Sequence, residues 1–150
     1  MSQTVFVPVD GSAAAEAALE HAHKQFPDAN LLLLYVANPM ADYSRQRAYP
    51  GYTADDEYAS ERKKGEAVLE SAIDRLPTGS SVETDLVVGE PARTIVDYAD
   101  ENDVNHIVIG SHGREGVARY LLGSVAENVV RRSAVPVTVV RPPGSDADYQ

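Results

Sequence analysis

His106-Ile-Val-Ile109, continuing into Gly110-Ser-His-Gly113-Arg-Glu-Gly-Val-Ala-Arg-Tyr-Leu-Leu-Gly123-Ser124, is the stretch that decides how this 150-residue chain reads. The apolar run is short and β-branched, which fits a buried strand. After Ser124 the pattern Val125-Ala-Glu-Asn-Val129-Val130 has the spacing of a helix. A glycine-rich segment between a strand and a helix N-terminus can form a nest for phosphate. Backbone N–H groups converge on the anion without side chains in the way, and the helix end adds partial positive charge. The amides of residues 111–114 and 124–125 are the expected donors, so a nucleotide-binding protein is the first expectation.

Outward from that stretch, strand and helix signals alternate. Thr4-Val-Phe-Val-Pro-Val9 reads as a buried strand, and Asp10-Gly11-Ser12 as a turn whose serine caps an alanine-rich helix. Ala14, Ala18, Ala22 and Phe26 mark one face of that helix, and Pro27-Asp28 stops it. Leu31 to Val36 is apolar without interruption, as in a strand buried on both faces of a parallel sheet. A second helix is expected from near Thr53 to near Leu76, with Leu69, Ala72, Ile73 and Leu76 as its buried stripe. Val82 to Val88 is a third strand. Pro91 suits a first helical position ahead of Ala92, Ile95, Val96 and Ala99. His106 to Ile109 and Pro136 to Val140 complete a β-α-β-α-β-α-β-α-β order. That order predicts an α/β fold with a doubly wound parallel sheet and right-handed crossovers. Ligands of such sheets bind beyond the carboxyl ends of the strands, where the winding reverses.

The bulk properties narrow the function classes. The chain is long enough for one domain with a core of its own. It has no cysteine, hence no disulfide, thiolate metal site or cysteine nucleophile. No run reaches membrane-spanning length and residues 1–11 carry no leader signal, so a cytoplasmic protein without a membrane anchor is expected. The net charge of −10, from 23 acidic and 13 basic residues, argues against nucleic acid as a partner. Lys24, Lys63 and Lys64 are the only lysines. An acidic, lysine-poor surface suits a halophilic host, where strong screening removes self-repulsion. Pro142-Pro-Gly-Ser and the acidic residues after it predict a flexible tail over 142–150, leaving a domain of 1–141.

With these elements in place the chain resembles the universal stress protein family. The resemblance rests on Gly110-x-x-Gly113, nine residues, then Gly123-Ser124, on Val7-Pro8-Val9-Asp10-Gly11-Ser12, on Gly89-Glu90-Pro91-Ala92, and on Ala134-Val-Pro136-Val-Thr-Val-Val140. It covers nearly the whole chain, and the glycine spacing is that of the family's ATP-binding branch. It implies a single Rossmann-like five-stranded parallel sheet of order 3-2-1-4-5 with helices on both faces. It also implies ATP, ADP or AMP as ligand and a homodimer through the strand at 136–140. An apolar edge strand independently calls for a partner or a cover.

The resemblance also distributes roles. Pro8, Val9 and Asp10 at the end of the first strand, and Val36 at the end of the second, would pocket the adenine and ribose, with Asp10 placed to help hold a Mg²⁺ ion. Gly110, Ser111, His112, Gly113, Arg114, Gly123, Ser124 and Val125 would take the phosphates. Each has a plainer alternative. The glycines would serve turns of positive φ. Asp10 would begin a turn, and Ser124-Val-Ala-Glu127 would be a capping box. His112 would contribute only backbone, and Arg114 and Arg119 would be solvated. The segment 38–53 interleaves Tyr43, Arg45, Arg47, Tyr49 and Tyr52, as in a surface loop or lid. No Gly-Lys-Ser/Thr occurs, so there is no Walker A loop. Asp10-Gly-Ser-Ala-Ala-Ala does not resemble the phosphate loop of the α/β ATP pyrophosphatases. Two readings stand: a nucleotide-dependent stress sensor or regulator with at most slow ATP hydrolysis, and a dimeric interaction module whose nucleotide is structural or absent.

Overall fold

The computed structural model describes residues 3–38, 54–112 and 122–142. Gly113, Arg114, Arg119, most of the 38–53 segment and residues 143–150 of the tail lie outside the described residues. The elements are β1 (Thr4–Pro8), α1 (Ala13–Gln25), β2 (Asn30–Ala37), α2 (Ala54–Asp74), β3 (Val82–Val88), α3 (Pro91–Glu101), β4 (His106–Gly110), α4 (Ser124–Arg132) and β5 (Val137–Val140). The five strands form one parallel sheet of order β3-β2-β1-β4-β5. The doubly wound architecture and the 3-2-1-4-5 order are therefore as expected.

Alternation along β1 divides the core between two faces. Val5, Val7 and Val9 pack with Leu31, Leu33 and Tyr35 against Ala18, Leu19 and Ala22 of α1 and Leu69 and Ala72 of α2. Phe6, Leu32, Leu34, Ile107 and Ile109 pack against Ile95 and Ala99 of α3 and Ala126 and Val129 of α4. Burial on both faces explains why β2 reads as an unbroken apolar run. The caps match the local sequence: Ser12 Oγ accepts from Ala15 N–H, and Glu90 accepts from the amides of Ala92 and Arg93 ahead of Pro91.

Three expectations change. Ile73 is 40% exposed, because one residue further along a helix turns 100°, and Ala72 already faces the sheet beside Val68, Leu69 and Leu76. The last strand begins at Val137, and Pro136 serves through its carbonyl, which accepts from Ile107 N–H. Helix α4 has Gly123 as its N-cap and no side-chain cap, so the Ser124–Glu127 capping box does not form. The frame is one residue off. Ser124 is already helical, Glu127 N–H bonds Gly123 O, and the Glu127 carboxylate pairs with Arg131 at 2.7 Å.

Candidate functional site

The sheet opens at the carboxyl end of β1. On one side β1 stays paired with β2 through Pro8↔Leu34, and Val9 N–H still donates to Leu34 O at 2.9 Å. On the other side its register with β4 ends at Phe6↔Ile107. Pro8 supplies the reason. The Val9–Leu34 bond turns the peptide groups of odd-numbered β1 residues toward β2, so the N–H of residue 8 would face β4, and proline has none. The two central strands thus part where the winding direction reverses.

Val36 reaches the same opening from β2. Leu34 O points toward β1 and Ala37 O toward β3, where it accepts from Gly89 N–H. Alternation therefore turns the Val36 N–H and C=O toward β1, past the last β1–β2 bond. A donor and an acceptor side by side at a strand end can pair with the edge of a planar heterocycle.

Two helix N-termini close the opening from above. Helix α1 comes down on the end of β4 because Gly110 has no Cβ: one placed there would lie 2.7 Å from Ala14 C and 2.8 Å from Ala15 N. Helix α4 is held by Gly123 N–H to Ser111 O at 2.7 Å, and a Cβ on Gly123 would sit 2.7 Å from that same oxygen. Neither glycine is among the positive-φ residues, which include Gly11 and Gly79. The plain reading of turn glycines is thus corrected for Gly110 and Gly123: both permit close approach of backbone to backbone. Between the helix ends, Ser12 Oγ meets His112 O at 3.4 Å. The first-turn amides of α4, at Ser124, Val125 and Ala126, precede the first bond inside the helix, from Glu127 N–H to Gly123 O. Uncapped amides and the partial positive charge of the helix end give this place the chemistry that can receive an anion.

Ser111 departs from expectation. It is 4% exposed, and its N–H donates to Val140 O at 2.8 Å, so this amide completes the β4–β5 ladder and does not serve an anion. Its carbonyl holds Gly123, and its hydroxyl lies 3.0 Å from His112 Nδ1. Ser111 thus fixes the geometry of the opening. Asp10 is half-buried beside it, and its Oδ1 accepts from Ser12 N–H at 2.9 Å. No group of three or more metal-ligating side chains occurs among the described residues. A divalent ion beside Asp10 would take its remaining oxygens from a ligand and water.

One cluster is absent from the sequence reading. The buried Tyr35, next to Val36, donates through its hydroxyl to Glu61 Oε2 at 2.9 Å, and Glu61 is 3% exposed. Lys64 Nζ stands 3.5 Å from Glu61 Oε1. A Cβ at Gly65 would collide with the Tyr35 ring. These contacts fix α2 to β2 one residue from the Val36 peptide groups. Their sequence signal is Gly65 itself, a poor helix former in the middle of a long helix.

Comparison with known proteins agrees with this architecture. Universal stress protein MJ0577 of Methanocaldococcus jannaschii is 31% identical over 157 residues, covering 94% of this chain and 96% of its own. The solved MJ0577 structure superposes with a TM-score of 0.81 at 30% identity, covering 96% of this chain and 99% of that one. A universal stress protein crystallised in complex with cAMP superposes at 0.68 with 31% identity, covering 93% and 97% of the two chains. The universal stress protein from Archaeoglobus fulgidus in complex with dAMP gives 0.60 at 27% identity, covering 93% and 98%. No helix among the described residues is long and apolar enough to cross a membrane. The universal stress protein family model matches residues 1–141, and with a parallel sheet that opens at β1 and β4 beneath two helix N-termini, this chain belongs to the universal stress protein family.

Proposed function

We propose that the protein binds an adenine nucleotide, ATP in its working state and ADP or AMP in others, and acts as a nucleotide-dependent stress sensor or regulator in the cytoplasm. The observation that carries this reading is the uncapped first turn of α4 standing over the gap between β1 and β4. Phosphates would lie on the amides of Ser124 and Val125 with help from Ser124 Oγ, His112, Gly113 and Arg114. The base would lie against Pro8 and Val9, with its edge on the Val36 N–H and C=O. Asp10 would face the ribose or a Mg²⁺ ion shared with the phosphates. The relatives solved with cAMP and dAMP support an adenine nucleotide as the ligand class. In this reading β5, at one edge of the sheet, pairs with β5 of a second copy.

Titration of the purified chain with ATP and Mg²⁺ in high salt tests the site. Saturable binding that is lost in Gly113→Val and Gly123→Val is expected, with folding of each variant checked by circular dichroism. Equal binding by wild type and by both folded variants would remove the proposed site. No binding by wild type, together with no adenine nucleotide released from freshly purified protein on denaturation, would favour the dimeric interaction module.

A further inference from the structure

We infer that the space between α1 and α2 is a second binding site, for a compact apolar molecule carrying one anionic end. A cavity of about 300 Å³ lies there, reaching Val9 and Gly11 at the carboxyl end of β1. Its walls are Val9 just after β1, Ala15 and Leu19 of α1, and Val68 and Ala72 of α2, with the exposed Ala67 at the edge. The cause is legible in the chain. Helix α1 presents Ala15 where α2 presents Ala72, and small buried residues on both helices leave room that larger side chains would fill. Val68 Cγ2 would lie 3.2 Å from a Cβ on Gly11, so the turn after β1 roofs the space.

The chemistry of the lining selects the ligand. Apolar walls give water few partners, so an apolar body gains most from entering. The volume is at the lower end of small-molecule sites, which span about 300 to 1,000 Å³. The charged residues stand at the rim. Arg75 Nη2 is 2.7 Å from Glu16 Oε2, a pair that ties the end of α2 to α1. Lys64 is less committed. Its ammonium is half-exposed and sits 3.5 Å from Glu61, whose other oxygen is already held by Tyr35. Lys64 can therefore turn to a carboxylate or sulfonate at the mouth without leaving Glu61 unpartnered.

Anilinonaphthalene sulfonate has this chemistry and reports entry into an apolar site by its fluorescence. Titration of the full chain should give saturable binding of one equivalent that saturating ATP does not displace. Ala67→Phe, which sets a ring across the mouth from the exposed side of α2, should weaken binding about tenfold or more. Lys64→Gln should weaken it about threefold, the scale of one exposed ion pair. If Ala67→Phe does not fold, Ser71→Leu at the exposed rim blocks the same mouth. Absence of saturable binding, undiminished binding in the folded Ala67→Phe or Ser71→Leu variant, or displacement by ATP would each overturn the second site.

Discussion

Strand β1 has two neighbours and treats them differently. Toward β2 its register runs from Thr4↔Asn30 to Pro8↔Leu34, and β2 is paired in turn with β3 from Leu31↔Val82 to Ala37↔Val88. Toward β4 the register holds only Val5↔His106 and Phe6↔Ile107. The closed side is sealed by side chains: Tyr35 lies against Gly65 and bonds Glu61, locking α2 onto the sheet. The open side is held mainly by backbone, Gly110 on Ala14 and Gly123 on Ser111, with the Ser12 hydroxyl on His112 O. The opening thus has one flank packed by side chains and one flank set by close approach of backbone.

The largest effect is expected from filling the open side. Gly110→Ala places a Cβ against the backbone of α1, which cannot move without lifting the helix N-terminus. A loss of about 3 kcal/mol, the upper range of overpacking, should appear in urea unfolding, and nucleotide binding should fall with it. If Gly110→Ala is as stable as wild type, the backbone-held picture of this flank is broken. On the closed side Gly65→Ala sets a helix-propensity gain of about 1 kcal/mol against a collision with the buried Tyr35 ring. A net loss of about 2 kcal/mol is expected, and a net gain would mean that Tyr35 has room to move.

Pro8→Ala exchanges one kind of flank for the other. It restores an N–H facing β4, so the gap should tend to close while stability holds or rises. Nucleotide affinity is expected to drop about tenfold, equivalent to about 1.4 kcal/mol, in an ATP titration. Unchanged affinity would show that the gap does not depend on the missing donor. Ser12→Ala removes the cap of α1 and the contact to His112 O, and should cost about 1 kcal/mol in thermal or urea unfolding. A cost near zero would leave the cap without energetic weight.

The smallest expected effect lies at the far end of β4. His106 Nε2 is 2.7 Å from Thr138 Oγ1, and its ring is 5.0 Å from that of Phe26. Burial, reinforced by the nearby His21, pushes its pKa down. The unfolded chain therefore binds the proton more readily, so stability rises with pH through the window between the lowered folded value and the ordinary 6.5. Acidification from neutral pH should lower the unfolding midpoint slightly more in wild type than in His106→Gln. Parallel curves would exclude a contribution from this histidine.

Much of this was legible residue by residue. The unbroken Leu31–Val36 run announced a strand covered on both faces, and Ser12 and Pro91 announced helix starts. The glycine spacing marked places where chain segments meet closely, and Gly110 and Gly123 lie against the backbone of Ala14 and Ser111. The details that failed are those in which adjacent positions compete. Ala72 and Ile73 cannot share a face, and Ser124 and Gly123 cannot both be the N-cap of α4. The Ser111 amide looked like a free donor in a loop until β5 was found alongside it.

Local chemistry thus determined which segments are strands and helices, and through Pro8 where a ladder must lack a donor. Those properties follow from side-chain period, capping and the missing N–H, which neighbours along the chain already specify. Tertiary structure alone decided that Gly110 and Gly123 are glycines of close approach, that Ser111 spends its amide on β5, and that Gly65 accommodates Tyr35. Each of these depends on atoms from a distant segment arriving within van der Waals distance, and no local pattern encodes that encounter.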